Sequence, residues 1–348
     1  MKIIVDAMGG DNAPQATVRG ALDAHREDGL EIVLVGREEE ILRELKACGA
    51  ETLPAGMEIR NATEVVEISD EASTAFKKKK DSSLTVGLNM VKNGEGDAFV
   101  SAGSTGALLS GATLVTKRIR GIRRAAMAPV LPSAGGRMIL CDCGANAECT
   151  PEYLLQFAFL GSFYSRRVLG VENPRVGLLN IGAEDEKGDA LRLETLQLLR
   201  EAHEAGRINF VGNVEANTAI MGGVDVLVAD GFSGNVMLKS LEGVGKFLMQ
   251  EMKQVFLSST KNKLAAAMVK NDIGSIKKKV DPREVGGTPF LGISKPVIKA
   301  HGSSDARAIT SAIRRAAEYA ESGFIADIEA NIDVMRVQAG TGKNVIAP

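Results

Sequence analysis

The sequence predicts a three-layer α/β/α fold with a mostly parallel, Rossmann-like sheet, and three observations support this class. Short aliphatic runs alternate with longer amphipathic segments, which is the order of successive βαβ units. Hydrophobic residues make up 45% of the 348 residues and aromatic residues only 4%, which is typical of the aliphatic core around a parallel sheet. Many of the 38 glycines come directly after the aliphatic runs, where a strand turns into a helix.

The predicted elements alternate along most of the chain. Strands are predicted at 2–6, 31–35, 57–66, 97–100, 137–142, 175–179, 208–211, 224–229 and 296–300. Helices are predicted at 14–27, 38–48, 84–92, 107–115, 153–168, 190–205 and 306–321, and a further long helix follows residue 235. One α/β domain over 1–348 with a helical excursion at 240–285 fits this order, and two domains fit the length equally well.

Residues at the ends of several elements support these boundaries. Pro14 can open the first helix, because proline is favoured in a first helical turn. Gly36 closes the second strand, and Thr150 with Pro151 forms a plain helix start. The helix at 153–168 has apolar residues around most of its surface, which predicts burial or a subunit contact.

Composition argues against several classes of protein. A net charge of −2 gives no reason to expect binding to nucleic acid. Four cysteines do not make a disulfide framework in a chain of this length, and Cys141-Asp142-Cys143 lacks the spacing and the nearby histidine of a zinc site. We therefore expect neither a metal nor a cofactor. No leader or membrane-spanning run is recognised, so a soluble, cytoplasmic protein is expected.

The turn after the strand at 97–100 is the first candidate binding site. Ser101, Gly103, Ser104, Thr105 and Gly106 separate this strand from a helix. The first N–H groups of a helix have no partner inside it, and with the positive end of the helix dipole they favour an anion. Glycine lets the backbone approach phosphate oxygens, and the hydroxyl groups add donors. A turn that only caps the helix is the alternative interpretation.

Similar glycine-containing polar turns follow other predicted strands. They lie at 6–14, 142–146, 180–189, 212–215, 230–235 and 300–305. The carboxyl ends of parallel strands share one edge of a sheet, and ligands bind in the crevice there. The sequence therefore predicts a polar rim that binds an anionic ligand.

Together these motifs resemble the bacterial phosphate acyltransferase family of phospholipid synthesis. The resemblance extends to about residue 320 and depends on the common order of segments 6–11, 101–107, 142–146, 177–182, 212–215, 230–235 and 300–304. It implies transfer of a fatty acyl group from acyl carrier protein to inorganic phosphate, which gives an acyl phosphate. It also implies a homodimer whose protruding helices touch the membrane.

The polar residues of the rim suit this chemistry. Phosphate is already a nucleophile, so the site must mainly bind it, stabilise an oxyanion and assist the leaving thiolate. We assign phosphate or transition-state charge to Lys187, for which an ordinary first-turn lysine is an equal alternative. Asn180 is a neutral donor, and His301 can donate to phosphate or to the leaving sulfur. Asp230 is expected to hold backbone N–H groups or to orient Lys187 or His301.

The remaining predicted site residues form three groups. The expected phosphate-binding residues are Ser101, Gly103, Ser104, Thr105, Gly106, Gly144 and Asn146. The expected substrate-binding residues are Gly10, Asp11, Gly231, Ser233, Gly234, Asn235 and Ser303. The expected partner-binding residues are Arg118, Arg120, Arg123, Arg124, Lys261 and Lys263.

The basic residues of the third group have more than one interpretation. The cations at 117–124 suit an exposed loop after a helix or a dock for an acidic partner. Apolar residues at 241–256 recur at helical spacing, which is typical of core or dimer packing, while 261–279 is more basic. We expect contact with a second subunit, with the anionic inner face of the membrane or with the carrier protein.

Other functions stay open at this stage. A covalent route through Cys141 or Cys143 is less favoured than direct transfer, because neither cysteine has a nearby base. A phosphotransacetylase-like enzyme using short acyl-CoA is an alternative, whereas a nicotinamide dehydrogenase lacks its glycine motif after the first strand. A non-catalytic scaffold on a membrane surface would leave the polar rim unexplained. Segment 340–343 lacks the full pattern of a nucleotide P-loop.

Overall fold

The computed structural model describes residues 1–274 and 286–335. The lysines at 277–279 and the segment at 340–343 lie outside these residues. The predicted α/β class with mostly parallel strands is confirmed, and the strands form two sheets. Among the described residues, none of the helices combines the length and the apolarity needed to cross a bilayer.

The strands follow one another at nearly the predicted positions. They are β1 (Lys2–Asp6), β2 (Glu31–Gly36), β3 (Met57–Asn61), β4 (Ala98–Ser101), β5 (Ala126–Met127), β6 (Val130–Ser133), β7 (Gly136–Cys141), β8 (Val176–Leu179), β9 (Phe210–Val214), β10 (Val226–Val228), β11 (Thr288–Leu291) and β12 (Val297–Lys299). Within the described residues, a seven-stranded sheet has the order β3-β2-β1-β4-β12-β11-β5 and a five-stranded sheet the order β6-β7-β10-β8-β9. Each described antiparallel pair includes β6 or β11, and the other pairs are parallel.

Helices connect these strands and cover the sheets. They are α1 (Gln15–Asp28), α2 (Glu38–Ala47), α3 (Ala75–Lys78), α4 (Ser83–Asn93), α5 (Thr105–Gly111), α6 (Pro151–Leu169), α7 (Ala190–Glu204), α8 (Ala216–Thr218), α9 (Gly231–Leu257), α10 (Thr260–Met268), α11 (Ala306–Glu321) and α12 (Phe324–Ala330). π-helical turns at Ala112–Thr116 and Ala219–Gly223 follow α5 and α8, and a 3-10 turn spans Ile332–Met335.

The two sheets share one layer of apolar side chains. Ile3 of β1 and Ile139 of β7 belong to the same buried cluster, whereas Ile4 and Leu140, one residue further on, face two separate clusters. Successive residues of a strand point to opposite faces, so each sheet is covered on both sides and the middle layer serves both. This arrangement explains why the strands are continuous aliphatic runs.

The excursion is helical as far as the structure describes it. α9 buries only Gly231, Gly234 and Met237, all in its first two turns. Further along, Phe247 and Val255 are 60% and 59% exposed. The second half of α9 therefore extends away from the sheets and presents apolar side chains to solvent.

Candidate active site

The carboxyl ends of three adjacent strands carry a buried polar row. β1 ends at Asp6, β4 at Ser101 and β12 at Lys299, and these residues are 2%, 1% and 7% exposed. The strand register pairs Lys299 with Ser101, and the Ser101 hydroxyl donates to Asp6 Oδ2 at 2.7 Å. Paired residues of parallel strands point to the same face, so the three side chains lie in line behind the turns that follow.

The turns after β1, β4 and β12 pack against one another in front of the polar row. The Asp11 N–H donates to the Gly302 carbonyl at 2.8 Å. Gly10 has a φ of 110°, a conformation that glycine adopts without strain. A Cβ at Gly9 would lie 2.8 Å from the Gly103 nitrogen. The glycines thus allow the close approach that brings these predicted site turns together.

The start of α5 presents backbone donors to this cluster. The Ser104 hydroxyl caps the helix by accepting from the Ala107 N–H at 3.5 Å, and the first helical bond runs from the Leu108 N–H to the Ser104 carbonyl at 2.9 Å. The N–H groups of Thr105 and Gly106 come before that bond, and both residues are half-buried. They are the orphan donors to which an anion can bind.

Ser101 and Gly103 have an internal role instead. The Gly103 N–H donates to the Ser101 hydroxyl at 3.1 Å, and that hydroxyl donates to Asp6. A hydroxyl has only one proton, so neither group is available to phosphate in this arrangement. Their expected phosphate contacts are therefore replaced by a structural role, in which they hold the turn against the polar row.

His301 follows β12 and is exposed at the mouth of these turns. Its Nδ1 accepts from the Ser303 N–H at 3.2 Å and lies 2.9 Å from the Ser303 hydroxyl oxygen. In the neutral ring this leaves the proton on Nε2. Burial, and then the positive charges of Lys239 and Lys299, lower the pKa of His301. At neutral pH His301 is therefore an uncharged hydrogen-bond donor.

The turn after β7 is filled by the protein's own carboxylate. Asp142 is 0% exposed and accepts the N–H groups of Cys143 and Asn146, each at 2.7 Å. The side-chain amide of Asn146 donates to Asp142 at 3.0 Å and to the Ala125 carbonyl at 2.8 Å. Both amide protons of Asn146 are used inside the protein, so its side chain has none left to donate to phosphate, contrary to the prediction. Gly144 stays exposed at the surface of this turn.

Asp230 begins α9 and connects it to α7. Its Oδ1 accepts from the Ser233 N–H at 2.9 Å, and Arg192 of α7 donates both to Asp230 and to the Ser233 hydroxyl. Burial alone would raise the pKa of Asp230, but the bonds from Ser233 and the charge of Arg192 hold it below its usual value. The cationic partner of Asp230 is thus Arg192, and Lys187 is not in contact with it.

The first turn of α9 packs on the turn filled by Asp142. The Gly231 N–H donates to the Asn146 carbonyl at 2.8 Å. A Cβ at Gly234 would lie 2.0 Å from the Asp142 carbonyl oxygen. Asn235 is exposed, and a Cβ built at Gly144 would lie 3.7 Å from its side-chain carbon. The glycines of this predicted group permit close packing, and Asn235 faces outward beside Gly144.

Asn180 and Lys187 lie next to each other after β8. The amide of Asn180 donates to the Lys187 carbonyl at 3.0 Å, and its Oδ1 accepts from the Ile181 N–H at 2.8 Å. One amide proton of Asn180 is left by these two bonds, while the side chain is 9% exposed. Lys187 is an exposed residue. The loop thus holds the nearly buried Asn180 beside the exposed Lys187.

The two sheets are joined at their carboxyl ends by Met127. Met127 pairs with Phe290 in the seven-stranded sheet. Its N–H donates to Asp142 Oδ1 at 2.8 Å, and its carbonyl accepts from the Cys143 N–H at 2.9 Å. The strand ends of both sheets therefore belong to one connected region.

The third turn of α9 acts on both sides of this region. Burial raises the pKa of Cys143, at the five-stranded sheet, to about 12, and the charge of Lys239 opposes this rise. The same lysine lowers the pKa of His301 at the seven-stranded sheet. One charge of α9 thus influences a titratable group at the strand ends of each sheet.

The cysteines of this region are poor nucleophiles. Burial raises the pKa of Cys141 well above its usual value and that of Cys149 to about 12. A cysteine attacks as its thiolate, which such pKa values suppress at neutral pH. Burial of these thiols therefore argues against a covalent route through Cys141 or Cys143.

The predicted partner-binding residues lie on the surface. Arg120, Arg123 and Arg124 are exposed, as are Lys261 and Lys263 on α10, whereas Arg118 is half-buried. Arg118 donates to the Arg123 carbonyl at 2.5 Å and so stiffens the loop. Each exposed cation can reach a partner from solvent.

Among the described residues at these strand ends and helix starts, Asp6, Asp142, Arg192 and Lys299 are buried or nearly buried charges that were not predicted as site residues. The sequence could have indicated Asp6 and Lys299, because each is a charged residue that directly follows aliphatic residues at the end of a strand. Asp142 likewise follows directly on an apolar strand. Arg192 has no such signal, since it resembles any arginine of an amphipathic helix.

Comparison with known proteins gives a consistent result. A family model described as "Fatty acid synthesis protein" matches residues 1–327. The phosphate acyltransferase of Acetivibrio thermocellus is 44% identical over 339 residues, which cover 97% of this chain and 98% of that protein. The phosphate acyltransferase of Oceanobacillus iheyensis is 45% identical over 334 residues, which cover 96% of this chain and 98% of that protein.

Solved structures support the fold. A phosphotransacetylase from Streptococcus pyogenes has a TM-score of 0.62 at 19% identity, with 92% of this chain and 94% of that chain covered. The EutD phosphotransacetylase from Staphylococcus aureus has a TM-score of 0.61 at 15% identity, with the same coverage. At these identities the likeness concerns the fold alone. The family match and the relatives that align over nearly the whole length lead to one conclusion: this chain belongs to the phosphate acyltransferase family.

Proposed function

We propose that the chain transfers a fatty acyl group from the thioester of acyl carrier protein to inorganic phosphate, giving an acyl phosphate for phospholipid synthesis. One observation carries the phosphate site: Thr105 and Gly106 offer backbone N–H groups at the half-buried start of α5. Membership of the phosphate acyltransferase family supports the reaction class.

The proposed reaction is a direct displacement. A phosphate oxygen attacks the acyl carbonyl carbon, the carbonyl oxygen becomes an oxyanion, and the carbon–sulfur bond then breaks. The proton of the phosphate ends on the departing sulfur, so the products are acyl phosphate and the free carrier thiol. No further reactant is needed, because the phosphate supplies both the nucleophile and the proton.

The roles of the donors follow from their geometry. Ser104, Thr105 and Gly106 are proposed to bind phosphate, since the start of α5 has the uncommitted N–H groups. Nε2 of His301 and the remaining amide proton of Asn180 are proposed to stabilise the oxyanion as neutral donors. Lys187 is proposed to add charge to the transition state from the surface. Asp230 acts through Ser233 by fixing the first turn of α9.

The remaining residues of the predicted substrate-binding group are assigned to the opening of the site. Asp11, Ser303 and Asn235 are exposed there and are proposed to contact the thioester substrate. Gly10, Gly231 and Gly234 are proposed to shape this opening indirectly, by letting its turns pack closely, since a side chain would clash at Gly10 and Gly234. Gly144 is exposed and is proposed to border the bound thioester.

A thiol-release assay tests the function. The purified chain is incubated with long-chain acyl carrier protein, and free carrier thiol is measured with and without inorganic phosphate. We expect release only when phosphate is present. Release that does not depend on phosphate would exclude the proposal, and release from acetyl-CoA alone would favour a short-chain phosphotransacetylase, whose fold is similar.

We further propose three contacts of the surface residues. The exposed arginines at 120–124 are proposed to dock the acidic carrier protein. The exposed apolar side chains of α9, among them Phe247 and Val255, are proposed to form a homodimer contact. Lys261 and Lys263 are proposed to hold the protein, within the cytoplasm, at the anionic inner face of the membrane.

These contacts are tested by charge reversal. The variant Lys261→Glu with Lys263→Glu is compared with Lys46→Glu with Lys92→Glu, which reverses two exposed lysines elsewhere. We expect weaker binding to anionic vesicles in the first variant only, and a loss of affinity for carrier protein instead would reassign these two lysines to the carrier. Unchanged binding in both assays would leave the excursion with a structural role. Light scattering of the wild type decides the oligomeric state.

A further inference from the structure

Lys299 is a buried cation to which the reaction as proposed gives no role. It ends β12, is 7% exposed and pairs in register with Ser101 of β4. A lysine this deeply buried is costly unless its ammonium is satisfied by hydrogen bonds or by charge. Lys299 ends its strand directly before the turn of His301 and therefore lies beside the candidate site.

The ammonium of Lys299 binds carbonyl groups on two different turns. Nζ donates to the Ala102 carbonyl at 3.2 Å and also to the Ala300 carbonyl. Ala102 leads into the turn at the start of α5, and Ala300 leads into the turn of His301. One cation therefore ties together the two turns that flank the proposed phosphate site.

We propose that Lys299 is a positioning residue for phosphate, whose ammonium holds the start of α5 and the His301 turn in the spacing that binds one phosphate ion. This inference rests on the proposed function. A merely structural side chain of similar length, such as methionine, could fill the same space without a charge. The lysine instead binds carbonyl oxygens with a group that can lose its proton.

The charged groups facing Lys299 determine when that proton is lost. Burial lowers the pKa of Lys299 to about 8, while the carboxylates of Asp6 on β1 and Asp11 in the following turn raise it. The positive charge of Lys299 also lowers the pKa of His301, which follows β12. The ammonium is therefore present below about pH 8 and is lost as the pH rises above it.

Phosphate affinity should follow this ionisation. Below the pKa of Lys299 its ammonium stays protonated, and the phosphate affinity does not change through this group. Above that pKa the phosphate affinity falls by up to roughly tenfold per pH unit, which is the limit when binding requires one proton. Inorganic phosphate itself titrates near neutral pH, so the fall is judged against Lys299→Arg, in which the ionisation of phosphate is the same but the side chain stays protonated. Asp6 and His301 also titrate, and they are left in place when only Lys299 is substituted.

The test measures equilibrium binding of inorganic phosphate to the full chain by calorimetry, over a pH range that spans the pKa of about 8. The variants are Lys299→Arg, Lys299→Met and the control Lys92→Met. Lys92 is an exposed lysine in the last turn of α4. Wild type and Lys92→Met should lose affinity together as the pH rises. Lys299→Arg should keep its affinity to higher pH, because arginine stays protonated.

Lys299→Met should bind phosphate about 10- to 100-fold more weakly at neutral pH, as expected for loss of a charged hydrogen-bonding group, with an unchanged KM for the thioester. A Lys299→Met variant that binds phosphate like the wild type would overturn the inference. Should Lys299→Met fail to fold, the pH dependence of phosphate affinity in the wild type and Lys299→Arg decides. The same pH dependence in both proteins would also overturn the inference.

The thiol-release assay on the wild type separates the two proposals. A wild type that binds phosphate and releases thiol, with variants that bind equally well, refutes only the role of Lys299. A wild type that neither binds phosphate nor releases thiol refutes the function and the role of Lys299 together.

Discussion

The guanidinium of Arg192 donates to the carboxylate of Asp230 and joins the starts of α7 and α9. Arg192 also donates at 3.0 Å to Asp189, which caps α7. Its side chain is 13% exposed and that of Asp230 is 7% exposed. One arginine thus binds the capping carboxylates of two helices and fixes the distance between the loops at 180–189 and 230–235.

Replacement of this arginine should lower stability. Arg192→Met leaves a nearly buried carboxylate without its cation, and we expect the free energy of unfolding to fall by about 3 kcal/mol. The control Arg60→Met breaks an exposed pair with Glu95 and should cost less than about 1 kcal/mol. Urea unfolding of both variants measures the difference. Equal losses would show that the Arg192 pair contributes no more than a surface pair.

The same pair should make part of the stability depend on pH. Asp230 has a pKa below its usual 3.8 in the folded state, so its contribution is fully present above that value and is lost as the pH falls through the lower folded value. Arg192 is one cause of the shift. The stability gap between wild type and Arg192→Met should therefore narrow in acid, and urea unfolding over an acid pH series measures it. A constant gap would contradict the assignment.

Two glycines of α9 offer a matched comparison. A Cβ at Gly234 would lie 2.0 Å from the Asp142 carbonyl oxygen, whereas a Cβ at Gly245 would meet no atom within 4 Å. We expect Gly234→Ala to destabilise the protein by about 2 kcal/mol or more and to abolish phosphate-dependent thiol release. Gly245→Ala should be neutral or stabilising by up to about 1 kcal/mol. Thermal unfolding and the assay measure both, and a stable, active Gly234→Ala would refute the close packing.

His301 should act in its neutral form. Its folded pKa lies below the usual 6.5, so the ring is neutral above that value and gains a proton only at lower pH. Protonation puts a hydrogen on Nδ1, which can then no longer accept the bond from the Ser303 N–H. Activity should therefore fall at a pH below the pKa of His301. His301→Asn keeps a neutral donor and should lose this acid limb, while His301→Ala should lower kcat by about 10- to 100-fold.

The measurement is kcat against pH at saturating substrates, with circular dichroism at each pH to exclude unfolding. Phosphate itself titrates near neutral pH, so the informative quantity is the difference between the wild-type and His301→Asn profiles. Superimposable profiles would argue that the protonation of His301 does not limit the reaction.

Lys187 should contribute charge from the surface. Lys187→Ala is expected to lower kcat/KM for phosphate about tenfold, equivalent to ~1.4 kcal/mol, because an ammonium close to an anion is lost. Lys187→Arg should keep most of the activity. Glu186→Ala, at the exposed neighbouring position, is the control. Full activity in Lys187→Ala would remove this residue from the mechanism.

The parallel strands were predictable because burial on both faces leaves an uninterrupted aliphatic run, as in β1 and β10. β6 and β11 were not predicted. They contain Pro132 and Pro289, which argue against a strand, and they pair antiparallel next to such runs. The turn predicted at 212–215 was wrong, because Gly212 and Asn213 lie inside β9.

For the candidate site, the sequence indicated which turns the fold brings together more readily than which hydrogen-bond donors in them stay free. Asp142 and Asn146 share a motif with Gly144, yet only the folded geometry reveals that Asp142 takes the N–H group of Asn146. Lys187 and Lys299 are equally plausible cations in sequence. Burial distinguishes them, and burial depends on the order of strands in the sheet rather than on local spacing.

The main-chain link at Met127 has a consequence for evolution and design. Both of its bonds across the two sheets use the N–H and carbonyl groups of the peptide, so nineteen of the twenty amino acids can preserve them and only proline would remove the donor. The main-chain link between the strand ends of the two sheets therefore does not depend on which side chain residue 127 carries. Its side chain packs on two apolar clusters, so a library that randomises residue 127 should return mainly apolar residues of varied shape, with proline missing among them.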